Sequence, residues 1–183
     1  MSRVPPGATS VAFFRNLNLG QRRSHSPTRP ELLEAFAQAG ATSAISFQSN
    51  GTVMFAPGRR SPQRLAERAV ALLTPVCGYD DMVATRPVDW VLELDLEEMP
   101  SHAEVSFFDG PDTFPEPLPW EPSGRGLIVV RADGRHALSV DDPAGSSGAT
   151  WVLEDRLGVK VTSRGVPTMR RLQTNLDQLT SRL

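Results

Sequence analysis

Residues 44–56 read AISFQSNGTVMFA, and this stretch decides the fold predicted for the first half of the chain. Two runs of mostly apolar, β-branched and aromatic residues flank Asn50-Gly51, a dipeptide typical of two-residue β-hairpin turns. The stretch therefore predicts two antiparallel strands joined at Asn50-Gly51. Asn50-Gly51-Thr52 also matches a glycosylation acceptor, but no secretory signal precedes it, so the turn is the preferred interpretation.

The segments around this hairpin complete a βαββαβ order. Upstream, TSVAFF (9–14) predicts a strand, and TRPELLEAFAQAG (28–40) predicts a helix that begins with a capping box. Downstream, SPQRLAERAVALLT (61–74) predicts a second helix, and DDMVATR (80–86) predicts a strand. This order is typical of a ferredoxin-like unit, in which two helices cover one face of an antiparallel sheet.

The second half of the chain predicts a less regular copy of the same order. PDTFPEPLPWEP (111–122) contains five prolines and is incompatible with a regular helix or a central strand. The remaining predicted elements are a short helix (87–96), a strand (103–110), a hairpin turning at 132–135 (126–140), a helix (150–158), a short strand (159–164) and a final helix (168–179). The predicted fold class is α+β, with two ferredoxin-like halves of which the second is irregular.

We therefore predict three segments. Residues 1–8 form a flexible tail, and residues 9–86 form the first ferredoxin-like half. Residues 87–183 form a degraded second half, in which the proline-rich loop 111–122 replaces the first helix. The halves share an order of elements and no visible sequence repeat.

Composition and charge exclude several functional classes. The hydrophobic fraction of 39% and the charged fraction of 22% are those of a globular protein. A net charge of -2 and a pI near 5.9 make nucleic acid an unlikely partner. No stretch approaches the roughly 20 apolar residues of a membrane span, and no signal peptide is evident, so we expect a cytoplasmic protein, monomeric or homodimeric.

Three segments resemble signature blocks of a bacterial family, the domain of unknown function 1697. They are VAFFRNLNLG, ELLEAFAQAGATSAISFQSNGTVMF and LEDRLGVKVTSRGVPTM. The resemblance implies paired ferredoxin-like halves and a bacterial cytosolic protein, and it implies no agreed activity. On this resemblance the chain is identified as a divergent member, because Asn16 replaces a glycine, and Ser146 and Ser147 lie where the family has basic residues.

The loop after the first strand is the leading candidate site. Arg15, Asn16 and Asn18 leave a strand end, where amide side chains and backbone N–H groups can hold an anion and an arginine can fork onto phosphate or carboxylate. The alternative is that the asparagines stabilise turns and Arg15 pairs with a surface acid. Because 18 of the 19 basic residues are arginines, one arginine is weak evidence for phosphate recognition.

Further ligand-binding candidates lie in the second half. Ser146 and Ser147 precede a helix, where they would bind an anion or simply cap the helix. Arg164 follows a short strand and is a second candidate anion contact. Trp120, inside the proline-rich loop, would cover a cleft or dock a partner.

The titratable residues give weaker evidence for a functional site than the loop after the first strand does. His25 is a weak candidate acid or base near neutral pH, with an ordinary surface histidine as the alternative. Cys77 is the only cysteine, has no nearby histidine in the sequence and reads as a structural thiol. Paired acids, including Asp141-Asp142, read as solvated strand ends. We predict no metal site and no cofactor.

Three functions remain open at this point. The leading hypothesis is a protein that binds a small anionic or phosphate-bearing ligand between its halves, with Arg15, Asn18 and Arg164 as contacts. The alternatives are an enzyme of bacterial secondary metabolism with a reshaped pocket, which a perturbed acid would favour, and a protein-interaction module.

Overall fold

The computed structural model describes residues 7–141 and 148–180, with side chains as far as residue 177. The predicted α+β fold class is confirmed. A short 3₁₀ turn, Arg22–Ser24, lies between the first strand and the first helix. The helices and strands, in chain order, are β1 (Ser10–Phe14), α1 (Arg29–Ala39), β2 (Ser43–Phe47), β3 (Thr52–Ala56), α2 (Pro62–Cys77), β4 (Val83–Pro87), α3 (Val88–Glu93), β5 (Ala103–Phe107), β6 (Leu127–Ala132), β7 (His136–Asp141), α4 (Ala149–Leu157), β8 (Thr162–Gly165) and α5 (Val166–Thr180).

Two antiparallel four-stranded sheets share one strand order. The first sheet runs β2-β3-β1-β4, and the second runs β6-β7-β5-β8. β5 to β8 therefore repeat the positions of β1 to β4, and α4 corresponds to α2. Residues 108–126, between β5 and β6, form no helix, so the second half lacks a counterpart of α1, as the prolines predicted.

The chain divides into two compact units. One unit runs as far as Leu94 and resumes at Leu172, and the other is Asp95–Arg171. Short α3 and the end of α5 thus lie in the first unit. Within that unit, the Gln173 side chain donates hydrogen bonds to the carbonyls of Val91 and Leu94, at 2.9 and 2.8 Å.

The core of the first unit lies between its sheet and the helices α1 and α2. The strands place alternate apolar side chains on this face because successive residues point to opposite faces of a sheet. Each large side chain fully buried here contributes about 1.5–3 kcal/mol relative to exposure. The large residues of this core include Phe14, Leu32, Phe36, Phe55, Leu65 and Leu73.

Both helices of the first unit begin as the sequence predicted. The Thr28 side chain accepts the Glu31 backbone N–H, and the Glu31 carboxylate accepts the Thr28 backbone N–H at 2.8 Å, forming the capping box of α1. Ser61 caps α2. The predicted end of α2 at residue 74 was wrong: the helix continues through Pro75 to Cys77. Pro75 has no N–H to donate to the carbonyl four residues earlier, but the last turn still closes, because the Gly78 N–H bonds the Thr74 carbonyl at 2.8 Å.

The predicted two-residue turn at Asn50-Gly51 was also wrong. Phe47 pairs directly with Thr52, so four residues connect β2 to β3, with positive φ at Gln48 and Gly51. The turn is held by the rest of the first unit rather than by its own dipeptide. The Gly51 carbonyl accepts the N–H of Phe14 at 2.8 Å. A Cβ at Gly51 would lie 2.9 Å from Leu17, so the close approach requires glycine.

The second sheet carries polar residues on the face that it turns towards α4. On β5, Glu104 and Ser106 precede the buried Phe108 on this face. Ser139 lies directly opposite Glu104 on β7, and Asp141 is two residues further along the same face. The apolar part of this core includes Phe108, Leu127, Val129, Ala137, Val152 and Leu153. The second unit therefore surrounds a buried polar region with an apolar core.

Candidate functional site

Arg15 in the loop after β1 forms an ion pair with Asp81. Its Nη1 lies 2.8 Å from Asp81 Oδ2, and the two side chains are 21% and 16% exposed. The exposed Asn16, with φ of 52°, also donates to Asp81 Oδ2 at 3.1 Å, and Asp81 Oδ1 accepts the Met82 N–H at 2.7 Å. The Tyr79 hydroxyl donates to the Arg15 carbonyl at 2.7 Å. These contacts fasten the loop after β1 to the start of β4.

The remainder of that loop folds against the C-terminal end of α2. The Asn18 N–H donates to the buried Ser26 hydroxyl at 3.1 Å, while the Asn18 side chain is exposed. His25, also exposed, places Nδ1 at 3.3 Å from the Cys77 carbonyl oxygen. The fold thus brings a histidine to Cys77 that sequence distance concealed. The contact is to the backbone, and the Cys77 thiol donates to the Leu73 carbonyl at 3.4 Å.

Arg164 is buried, with 8% of its surface exposed. Its Nη1 donates to the Thr162 hydroxyl at 3.1 Å and to the Ser163 carbonyl at 2.7 Å. Because Arg164 pairs with Val105 across the β5–β8 ladder, its side chain leaves the sheet on the face opposite to Glu104. Ser146 and Ser147 lie outside the described residues, and α4 begins at Gly148 as its N-cap.

Trp120 continues the second sheet at its edge. Its backbone N–H and carbonyl exchange hydrogen bonds of 2.9 and 2.8 Å with Val129 on the edge strand β6. The half-buried indole packs edge-on against Phe114, with ring centroids 5.6 Å apart. An ion pair between Glu116 and Arg156 joins the same loop to α4. These contacts cover an exposed strand edge, so the proline-rich loop has a structural role whether or not Trp120 contacts a ligand.

Three buried oxygen atoms on one face of the second sheet form what we call the acceptor cluster: Glu104 Oε2, Ser139 Oγ and Asp141 Oδ1. Within the described ranges, none of these atoms has a hydrogen-bond partner. Ser139 is 0% exposed. Leaving a buried polar group unpaired costs about 1–3 kcal/mol, and native structures contain few such groups. Three in one place therefore require ordered water or another group as a partner.

Neighbouring hydroxyls on the same face do find partners. The Ser106 and Ser163 hydroxyl oxygens lie 2.8 Å apart, and the Thr150 and Ser163 oxygens are also 2.8 Å apart. Ser106 is two residues from Glu104 on β5, and Ser163 pairs with it across the ladder. The contrast with Ser139 shows that this packed region can satisfy hydroxyls, which makes the acceptor cluster a local exception.

Electrostatics distinguish the two carboxylates of the acceptor cluster from surface acids. Burial raises the pKa of Glu104 above its usual value, and the negative charge of Asp141 raises it further. The Ala149 backbone N–H and the Arg164 charge oppose this change. Burial also raises the pKa of Asp141, against the opposing charge of His102. The hydrogen bond from the Ala149 N–H shows one role of Glu104. Its carboxylate caps the first turn of α4, where the N-cap residue is a glycine without a side chain.

Sequence reasoning identified only part of this cluster. Asp141 was assigned to a solvated strand end, whereas its Oδ1 is buried. Glu104 and Ser139 were not singled out. The available signal was alternation: polar residues recur at every second position on β5 and on β7, which places them on one face. Which strands are neighbours, and which face α4 covers, decide whether such residues meet.

The part of the chain that the structure describes has neither a group of metal-ligand side chains nor a membrane-spanning helix. Among residues 7–141 and 148–180, no three His, Cys, Asp or Glu side chains are grouped as metal ligands would be. Across the same ranges, no helix combines the length and the apolar character needed to span a bilayer.

An apolar groove of about 390 Å³ lies between α1 and α2 in the first unit. Ala35, Leu72 and Val76 line it, and Glu34 and Gln38 contribute polar atoms. Val76 is 52% exposed. The groove is a surface on which the prediction of a protein-interaction module can be tested, and that function stays a prediction.

Comparisons with known proteins add a fold neighbour. No protein-family model matches the chain, and no curated protein matches it. Among solved structures, the chain is similar to the conserved bacterial protein SP0830 from Streptococcus pneumoniae, with a TM-score of 0.61 and 12% sequence identity. The match covers 93% of this chain and 98% of that one. At this identity the likeness shows the fold alone: a bacterial protein shares the two-sheet α+β architecture along almost the whole chain.

Proposed function

We propose that this chain binds a small molecule that presents hydrogen-bond donors to the acceptor cluster of its second unit. The observation that carries the proposal is the buried Ser139 hydroxyl, unpaired between two carboxylate oxygens that are also unpaired. Protein interiors pair such groups with protein or with ordered water. A ligand with donors would satisfy all three oxygens at once.

The acceptor cluster favours donors over anions. Both arginines that were candidate anion contacts already have acceptors, because Arg15 pairs with Asp81, and Arg164 donates to Thr162 and Ser163. Two carboxylates would repel an anion placed at the acceptor cluster. The anionic ligand stays a prediction with its own test, namely a shift produced by inorganic phosphate that Arg15→Ala or Arg164→Ala removes.

Thermal unfolding in the presence of small probes tests the proposal. The probes are ammonium, guanidinium, acetamide and inorganic phosphate, each compared with sodium chloride at equal ionic strength. We expect a donor-bearing probe to raise the Tm of the native chain. Ser139→Ala and Glu104→Gln should reduce the shift, since each alters one oxygen of the acceptor cluster.

Ser106→Ala is the matched control, because it removes a paired hydroxyl from the same face two residues away from Glu104. It should lower the baseline Tm and leave the probe-induced shift intact. Equal shifts in all four proteins, or no shift with any donor-bearing probe, would contradict the proposal.

An enzyme is the second candidate function, favoured by the raised pKa of two adjacent carboxyl groups. Burial is the largest cause of the raised pKa of both Glu104 and Asp141. Pairs of carboxyl groups with altered pKa values supply the acid and the base in many hydrolytic and proton-transfer sites. With any ligand that binds at the acceptor cluster, mass spectrometry after incubation distinguishes binding from turnover. Conversion by the native chain and none by Glu104→Gln would support the enzyme, and an unchanged ligand would exclude it for that compound.

A further inference from the structure

The acceptor cluster also constrains the chemical class of the group that fills it, on the condition that the proposed function holds. The three oxygens are not hydrogen-bonded to one another. Glu104 and Ser139 are direct cross-strand partners, for which Cβ atoms lie about 4.5–5.5 Å apart, and Asp141 is diagonal to Glu104 at about 7–8 Å. A group that satisfies all three must therefore be compact and must direct several donors outward.

The charge of the acceptor cluster further restricts the chemical class of the ligand group. Two of the three atoms belong to carboxylates, and the charge of Asp141 is close enough to raise the pKa of Glu104. A neutral amide supplies two donors and no charge, so it leaves one acceptor unpaired and the repulsion unrelieved. A cation with three donors meets both requirements.

Donor geometry separates the remaining cations. A guanidinium achieves its strongest binding with two parallel bonds to both oxygens of one carboxylate. The Glu104 carboxylate already accepts the Ala149 N–H. Its Oε2 is the oxygen that remains without a partner, so it can accept one further hydrogen bond. A primary ammonium makes three separate bonds in tetrahedral directions and needs one oxygen from each partner.

Divalent metals fit this set of oxygens less well. Calcium takes six to eight oxygen ligands, and magnesium requires octahedral coordination. The acceptor cluster offers three atoms, and the described residues contain no grouping of three acidic, histidine or cysteine side chains. From this combination we infer that the ligand carries a primary ammonium group, held by Glu104 Oε2, Ser139 Oγ and Asp141 Oδ1.

Methylammonium is the probe that isolates this group. A ligand of two heavy atoms reaches at most about 1.5 kcal/mol per atom, which corresponds to a Kd on the order of 10 mM. At about 100 mM, such binding should raise the Tm of a chain of this size by about 3–6 °C relative to equal sodium chloride. Tetramethylammonium has the same charge and no donor, and we expect no shift with it. Acetamide and magnesium chloride complete the series.

Variants connect the shift to the acceptor cluster. Ser139→Ala and Asp141→Asn should each lose most of the methylammonium shift, and Ser106→Ala should retain it. If Ser139→Ala folds poorly, Asp141→Asn still tests the site. We expect this variant to fold, because it replaces one oxygen on a half-buried side chain.

The outcomes separate this inference from the proposed function. A shift by acetamide or magnesium that depends on Ser139, with none by methylammonium, would overturn the ammonium and preserve the proposed site. Equal shifts by methylammonium and tetramethylammonium would overturn the ammonium as well. No shift by any probe would overturn both, and a crystal structure grown with methylammonium would then show ordered water at the three oxygens.

Discussion

Replacing Glu104 with glutamine should stabilise this protein at neutral pH, against the usual effect of altering a buried residue. Glutamine keeps an oxygen for the Ala149 N–H and replaces the charged Oε2 with an amide that can donate towards Ser139 or Asp141. The substitution removes a buried unpaired acceptor, and it removes a negative charge that Asp141 repels. The side chain remains similar in size, so no cavity forms.

The expected change in the free energy of unfolding is the sum of opposing contributions. Pairing a buried polar group recovers about 1–3 kcal/mol. Losing the carboxylate beside the start of α4 costs about 0.3–1 kcal/mol. Since Glu104 is only partly shielded from water, screening reduces the gain, and the net stabilisation should be about 1 kcal/mol. For a chain of this length, that corresponds to a rise in Tm of about 2–4 °C.

The pH dependence of the difference identifies its cause. Burial raises the pKa of Glu104 in the folded state above the usual 4.5, with Asp141 adding to the effect and Ala149 and Arg164 opposing it. Between the two values the folded state binds more protons than the unfolded state, so this residue's contribution to stability falls as pH rises. The advantage of glutamine should therefore be largest above the folded pKa and smallest below 4.5.

Urea denaturation of both proteins at neutral pH and near pH 4 measures this difference. Comparing the two proteins cancels the other acids, among them Glu31 and Asp133, whose pKa values are lowered and whose stabilisation is lost in acid. Glu98→Gln, at an exposed position, is the control and should change stability little. If Glu104→Gln is less stable at neutral pH and the deficit disappears near pH 4, the carboxylate is a net stabiliser and the reasoning fails.

Three further predictions test the fold. Gly51→Ala should destabilise the first unit by more than about 1–2 kcal/mol in chemical denaturation, whereas Gly20→Ala, with a similar φ and open space, should cost only the backbone strain; equal losses would refute the close approach. Trp120→Ala should cost about 2 kcal/mol and speed amide hydrogen exchange in β6, and unchanged exchange would show that the loop does not protect that edge. A double-mutant cycle of Arg15→Ala and Asp81→Ala should give a coupling of about 1 kcal/mol, and additive losses would mean that the ion pair contributes nothing.

Much of the fold was predictable because its signals are local. The capping box at Thr28, the cap at Ser61 and the prolines of 111–122 each act within a few residues of chain. The order of elements then implied two ferredoxin-like halves, and the observed strand orders agree. The turn at Asn50-Gly51 was mispredicted because distant residues, the backbone of Phe14 and the side chain of Leu17, set its length and its conformation.

The contacts of the predicted site residues could not be predicted from the sequence. Arg15 lies at the strand exit where the sequence placed it, whereas Arg164, predicted just after a short strand, lies within β8. The fold sets the partners of both. A single residue gives no indication that Asp81 will meet Arg15 across 66 positions. The roles of both arginines in ligand binding stay predictions.

By itself, the sequence of this protein determined the helices, the strands and their order, because hydrophobic periodicity, caps and prolines act over short distances. Only the tertiary structure decided which polar residues are buried together. Glu104 and Ser139 are 35 positions apart in sequence, and pairing of β5 with β7 makes them neighbours under α4. Burial then changes the chemistry of ordinary strand residues, since a carboxylate and a hydroxyl that water would satisfy must find a partner inside the protein.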